Sequence, residues 1–241
     1  MRMLPPRPDL PQATLKHLAL ETKAIAQAVD SKAEAKRRYE NARKAKWFKP
    51  VVEALGKMSG PGGRCMFCSG SESSHVEHFR PKAAFPLEAM KWKNFLWACS
   101  ICNQSKSDRF PPDTEPGEPI INPVDEDAWS FFFIDEFGNL AARWHPDLND
   151  IDARAANTIE ILALDRDALQ ETRQQRLYDL RERVRDSLEL FRQRRLGRDD
   201  LRARCEEWRR QAFQPDVASY FLDGPGRQEE PFAEFCARAE C

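Results

Sequence analysis

The sequence contains no run of about 18 apolar residues, so no segment is expected to cross a bilayer as a helix. It has no excess of charge either: 38 Lys and Arg stand against 39 Asp and Glu, a formal net charge of −1. The chain as a whole is therefore not a polycation, and any contact with nucleic acid must come from a local patch. It shows no internal repeat and no low-complexity tract. Residues 1–11 hold two arginines and four prolines but no apolar stretch, so they are expected to be extended and not to act as a secretory signal. A cytoplasmic location follows as the default expectation. In that compartment the seven cysteines are poor disulfide formers, and paired CxxC spacing reads as metal binding.

What is present is a chain of 241 residues, 41% hydrophobic and 32% charged. The high charged share predicts long solvated helices, and the length suits one composite domain or two small ones. Gln12 to Leu55 reads as helical, with Leu15, Leu18, Leu20, Ile25 and Val29 as an apolar stripe. Ser31 and Glu34 form a possible capping box for a second helix running through Ala45. Ser59 to Gly63 breaks the pattern. Beyond residue 112, Ser130–Ile134 reads as a buried strand, Glu136–Asn139 as a turn and Leu140–Trp144 as a return strand. Helices are expected from Asp150 to Leu164 and from about Asp167 to Leu196, with Leu177, Leu180, Val184, Leu188 and Phe191 on one face. After Gly197 a helix capped by Asp199 or Asp200 carries Leu201, Cys205, Trp208 and Ala212 and ends at Pro215; a short one covers Phe232–Ala239. The fold class expected is mainly α with a small β component (α+β). Its parts are an arm and helices over 1–60, a motif-dense core over 61–112, and a hairpin with arginine-rich helices over 113–241.

Within the core, Cys65-Met66-Phe67-Cys68 and Cys99-Ser100-Ile101-Cys102 are two CxxC pairs. Two residues between cysteines form a tight knuckle that turns both sulfurs toward one point, and two knuckles complete a closed Cys₄ site for zinc. A closed site has no open position, so this zinc is structural; it would hold the loop before one strand against the start of a helix. Cys205, Cys236 and Cys241 read as ordinary thiols.

Between the knuckles lies His75-Val76-Glu77-His78-Phe79-Arg80-Pro81-Lys82, a short strand by its alternation. Asn94-Phe95-Leu96 and Cys102-Asn103-Gln104-Ser105-Lys106 follow, with 92–106 read as a loop entering a helix. His78, Asn94 and Asn103 resemble the three signature positions of the HNH nucleases, in the variant where Asn replaces the last His. The second CxxC immediately before the last position also resembles that family. HVEHFRPK, WKNFLWAC, CNQSK and the segment Asn157–Leu162 resemble a narrower group: the HNH subunits of bacterial anti-phage systems of the Septu and retron-associated types. The resemblance covers about residues 64–165.

It implies a ββα-metal unit that cleaves phosphodiesters of DNA, RNA not being excluded, with an ATPase subunit as partner. It assigns His78 as general base, Glu77 and Asn103 as ligands of a catalytic Mg²⁺ or Mn²⁺, and Asn94 as the residue that organises the loop and orients His78. Glu77 and His78 are neighbours on a strand and would face opposite ways, so a bulge or turn is expected there. Position 77 is Glu where many HNH proteins have Asp, and its longer arm could shift the metal; Asn103 still offers an oxygen, which suits a hard cation.

His75 stands open between a strand histidine that bonds the loop and a phosphate contact or auxiliary metal ligand. Residues 80–109 carry six cations and two anions, a local net charge of +4, and Arg80, Lys82 and Lys106 are the candidate phosphate contacts. Trp92 and Trp97 offer rings for base stacking, with Trp97 favoured for the core. The thirteen arginines and nine acids of 171–210 read as a solvated salt-bridged face or a docking surface. The rival reading is a zinc ribbon that binds nucleic acid or scaffolds a complex without cutting.

Overall fold

A computed structural model describes residues 4–60, 62–70, 75–111, 119–147, 149–211 and 216–240. The fold is α+β: helices dominate, and the strands among the described residues form three separate antiparallel pairs. The chain divides into two units, Leu4–Val124 and a second from Asp125 onward. No described helix is long and apolar enough to cross a membrane.

The first unit begins with an arm lacking regular structure, followed by helices α1 (Gln12–Ala26), α2 (Ser31–Ala42) and α3 (Lys49–Met58). Leu18 and Ile25 of α1 are buried, but Leu20 is exposed, and so is Val29, which lies past the helix end. Leu20 sits two residues, about 200°, round the helix from Leu18, so both cannot face one core. The cap of α2 is Asp30 rather than Ser31: its carboxylate accepts the Ala33 N–H at 2.9 Å, as N-cap residues do. Glu34 is then free to pair with Arg37 and Arg38 along the helix, and the helix stops at Ala42, short of the Ala45 expected.

Next come β1 (His75–His78), β2 (Phe95–Ala98) and α4 (Ser100–Lys106), a ββα unit in consecutive order. The strands pair antiparallel and one-for-one, His75 opposite Ala98 through His78 opposite Phe95. No bulge interrupts them; β1 simply ends at His78 and the chain bends over Phe79 and Arg80. β2 lies inside the segment read as a loop. All four of its residues are buried, so it shows no alternation, and a short apolar run buried on both faces carries no period to read.

In the second unit, β3 (Phe132–Ile134) and β4 (Leu140–Ala142) form the expected hairpin in shortened form. Ser130 belongs to a preceding turn, and Trp144 starts β5 (Trp144–His145), which pairs with β6 (Asp150–Ile151). The hairpin turn is organised by Asp135, whose carboxylate accepts the N–H groups of Phe137 and Asn139; Gly138 supplies the positive φ of 80°. Helix α5 (Ala153–Leu162) starts later than expected, because Asp150 and Ile151 are strand and Asp152 is the cap.

Helix α6 (Asp167–Arg192) buries Leu177, Leu180, Val184 and Leu188. Helix α7 (Arg198–Gln211) buries Leu201, Cys205 and Trp208, and α9 (Phe232–Ala239) lies where its apolar pattern places it. Between them, α8 (Val217–Leu222) was not foreseen; six residues are too few to show a helical period. Cys205 and Cys236 are buried, while Ala212, Pro215 and Cys241 lie outside the described residues. Many arginines here tie elements together: Arg192 to Glu234, Arg202 to Glu240 and Arg209 to Asp223.

Candidate metal centre and catalytic cleft

The first knuckle is shaped by its own backbone. The Ser69 N–H reaches the Cys65 carbonyl and the Cys65 N–H reaches that of Gly70, with Ser69 at a φ of 57°. The Met66 N–H donates to the Trp97 carbonyl at 2.9 Å, which hooks the knuckle onto β2. The second knuckle is the start of α4: the Cys99 sulfur accepts the Cys102 N–H at 3.4 Å, as an N-cap would. The Gly70 N–H donates to the Cys68 sulfur in the same manner. A Cβ at Gly70 would stand 3.2 Å from that sulfur, so glycine keeps the knuckle uncrowded.

All four cysteines are buried and their sulfurs lie within 4.8 Å of one another. A tetrahedral zinc with bonds of about 2.3 Å sets its ligands about 3.8 Å apart, and Cys68 and Cys99 are separated by 3.8 Å. The donor set therefore fits a structural metal such as zinc, placed where β2, α4 and the first knuckle meet.

Beside this centre opens a cleft of about 330 Å³, lined among others by Tyr39, Arg43, His75, Glu77, His78, Lys82, Trp97 and Asn103. Glu77, His78 and Asn103, chosen from the sequence, thus share one cleft, with His75 at its exposed edge. His78 is buried, its ring set edge-on to Tyr39 at 4.5 Å and to Phe95 at 5.3 Å. Its Nε2 lies 2.9 Å from the Ala89 carbonyl. A carbonyl only accepts, so Nε2 carries the proton and Nδ1 holds the lone pair. Burial, helped by the nearby Lys82 and Lys106 charges and opposed by the Ala89 bond, lowers the imidazole pKa to about 3. The ring is neutral near pH 7.

Asn94 stands behind the cleft. Its Oδ1 accepts the Arg80 N–H at 2.8 Å, and its Nδ2 donates to the Arg80 carbonyl at 3.0 Å and the Glu88 carbonyl at 3.1 Å. Its own carbonyl accepts the Phe79 N–H. One carboxamide thereby ties the end of β1 to the loop that presents Ala89 to His78.

Lys106 differs from the expectation of a phosphate contact. It is fully buried, and its ammonium donates to Glu77 Oε1 at 2.9 Å and to the His78 carbonyl at 2.7 Å. As residue seven of α4 it points under β1, away from solvent, so a substrate phosphate would find it already occupied. Burial pushes the Glu77 carboxyl up and the Lys106 ammonium down, while each favours the charged form of its partner. Lys106 takes Oε1 of Glu77; Oε2 makes no hydrogen bond with the described residues, nor does the Asn103 carboxamide. Lys82 lines the cleft with its ammonium 5.4 Å from the Tyr39 ring centre. Arg80 packs over Phe85 at 4.9 Å and is not among the cleft residues.

No protein-family model matches the chain. It is similar to a Septu protein. The relative is Septu protein PtuB of Bacillus thuringiensis, 31% identical over 124 residues, or 49% of this chain. The match spans 42% of that protein's length.

Three contributors to the site were not singled out from the sequence. Tyr39 donates its hydroxyl to the Val76 carbonyl at 2.9 Å and walls the His78 ring. Arg43, four residues on, lines the same cleft. Arg7, in the arm, donates to the carbonyls of Trp92, Lys93 and Phe95 and so braces the turn that carries Asn94. Trp92, half-buried, binds the arm in return through the Pro8 carbonyl, and Trp97 is buried in the wall of the cleft. No local signal marks Tyr39, Arg43 or Arg7, because each acts across a long sequence separation.

Proposed function

We propose that this chain is a metal-dependent HNH-type endonuclease acting on DNA. The reading rests on the convergence of Glu77, His78 and Asn103 in one cleft, with Asn94 fixing the loop behind them. Hydrolysis of a phosphodiester needs an activated water, a neutralised phosphate and a stabilised leaving alkoxide. The lone pair on His78 Nδ1 is suited to take the water's proton, since Nε2 is held by Ala89 and the ring is neutral. An arriving phosphate brings negative charge near the ring and raises its basicity from the low value that burial imposes. Glu77 Oε2 and the Asn103 carboxamide are hard oxygen donors that would hold a divalent cation, Mg²⁺ or Mn²⁺; when bound it would supply charge neutralisation at the scissile phosphate. Lys82 offers a cation on the cleft wall, and a zinc held by the four cysteines would fix the first knuckle and the start of α4 beside β2.

The similarity to a Septu protein supports a role in anti-phage defence; there the chain would act as the nuclease subunit of an assembly with an ATPase, the partner that the HNH resemblance implies. The arginine-rich α6 and α7 offer surfaces for such a partner. The test is nicking of supercoiled plasmid with Mg²⁺ or Mn²⁺: wild type should cut and His78→Ala should not. Equal cutting by both would end the assignment.

A second reading has one observation in its favour. Glu77 already has a counter-ion in Lys106 and needs no metal to balance its charge, as in a zinc-stapled subunit that binds or scaffolds without cutting. Metal titration separates the two: the scaffold takes one tight zinc and no weaker divalent ion.

A further inference from the structure

Helix α2 takes part in the cleft, although every motif residue comes from the ββα unit. The Tyr39 hydroxyl, bonded to the Val76 carbonyl, fixes α2 against β1. Arg43 lies four residues further on, which puts it on the same face one turn along, and it lines the cleft with Glu77, His78 and Asn103.

We propose that Arg43 is a phosphate-binding residue of this cleft, gripping the phosphodiester from the helical wall while Lys82 does so from the ββα unit. The proposal rests on the nuclease reading above.

The guanidinium is available. Its ion pair is with Glu40 at 3.7 Å, and both side chains are about half exposed, at 57% and 44%. A pair that long and that solvated contributes little and gives way readily to a better anion. The charge balance of the cleft points the same way. Its lining carries Arg43 and Lys82 against Glu40 and Glu77, and Glu77 is already balanced by Lys106. The remaining field favours an anion, and the charge working against it is Glu40. A guanidinium also presents a planar fork that meets two phosphate oxygens at once, which an ammonium cannot do.

An arginine at the end of α2 could instead serve only to complement the helix dipole. That role would be satisfied by lysine and would not touch DNA binding. The two roles are separated by measuring the affinity of a short fluorescent DNA duplex for the full-length protein carrying His78→Ala, which is expected not to cut, across a series of salt concentrations.

In that background Arg43→Ala should weaken binding about fivefold to tenfold and reduce the slope of log affinity against log salt by about one. Arg43→Lys should recover only part of the loss. Glu40→Gln should tighten binding, because it removes the competing carboxylate. Affinity and salt slope unchanged by Arg43→Ala, full recovery with lysine, or weaker binding with Glu40→Gln would each overturn the proposal. Plasmid nicking that survives Arg43→Ala with an unaltered KM would sink Arg43 alone. A wild-type protein that neither binds nor nicks DNA would remove the nuclease reading, and this proposal with it.

Discussion

Lys106 and Glu77 form a buried ion pair at 2.9 Å beneath the cleft, and the same ammonium donates to the His78 carbonyl at 2.7 Å. One cation thereby connects α4 to both adjacent residues of β1. Burial pushes the carboxyl pKa up, and the Coulomb attraction and hydrogen bond of Lys106 work against that loss of water and favour the ionised form.

Breaking this pair from one side should be costly. Lys106→Met leaves a buried carboxylate with no counter-ion and is expected to destabilise the first unit by about 3–5 kcal/mol. The double variant Lys106→Met with Glu77→Gln removes both charges and should recover much of that loss. Chemical denaturation of the four corners of this double-mutant cycle measures the coupling, and additive losses would show that the two groups do not depend on each other.

His78 makes stability depend on pH in a definite direction. Its pKa is depressed to about 3 in the folded protein, with burial as the chief cause, against about 6.5 in an unfolded chain. Between those values the unfolded state binds more protons than the folded one, so stability rises with pH across that window. The contribution is complete above about pH 6.5 and is lost as pH falls toward 3, at about 1.4 kcal/mol per pH unit. Histidine side-chain nitrogen shifts recorded at pH 5 should show His78 neutral with its proton on Nε2. A protonated ring at that pH would contradict the burial argument.

What could be read in the sequence, and what could not, follows from how far each signal reaches. The CxxC pairs were legible because cysteine is rare and their spacing is local; Glu77, His78 and Asn103 were named through the family resemblance and line one cleft. Lys106 was misplaced for the opposite reason: from sequence it is one cation of a basic cluster, and only the burial of α4 against β1 turns it from a phosphate contact into the counter-ion of Glu77. Strand β2 was missed because its four residues are all buried and show no alternation. Tyr39 reaches Val76 across 37 positions and Arg7 reaches Phe95 across 88, so neither leaves a local pattern.

Removing metal should undo the ββα unit. The four sulfurs lie close enough to share one ion, which would staple the first knuckle to the start of α4. Purified protein should contain one zinc per chain, measured by elemental analysis. Cys102→Ser, at a wholly buried ligand position, should lower that content and the melting temperature together. A thiol-competing chelator should have the same effect on wild type, with helix signal lost as the metal leaves. Full stability after complete removal of zinc would show that packing alone holds the knuckles.

Asn94 makes the sharpest case for a side chain that acts only through others. Its carboxamide uses one acceptor and two donors, on the Arg80 N–H, the Arg80 carbonyl and the Glu88 carbonyl, and it is buried. Asn94→Asp keeps the shape and the acceptor but turns the donor end into a second acceptor facing two carbonyls. Asn94→Ala removes those three hydrogen bonds, although the Glu88 carbonyl still accepts the Lys91 N–H. Each unsatisfied buried group costs about 1–3 kcal/mol, so both variants should be less stable than wild type, with Asp the worse near pH 7, where a charged carboxylate faces the carbonyls. The loop from Arg80 to Ala89 would then lose its anchor, and with it the Ala89 carbonyl that fixes the His78 tautomer. The expected signature is a change at His78 Nε2 in the nitrogen spectrum of the folded variant. A variant whose His78 signals match wild type would show that the loop is held by something else, and Asn94 would lose its claim to position the base.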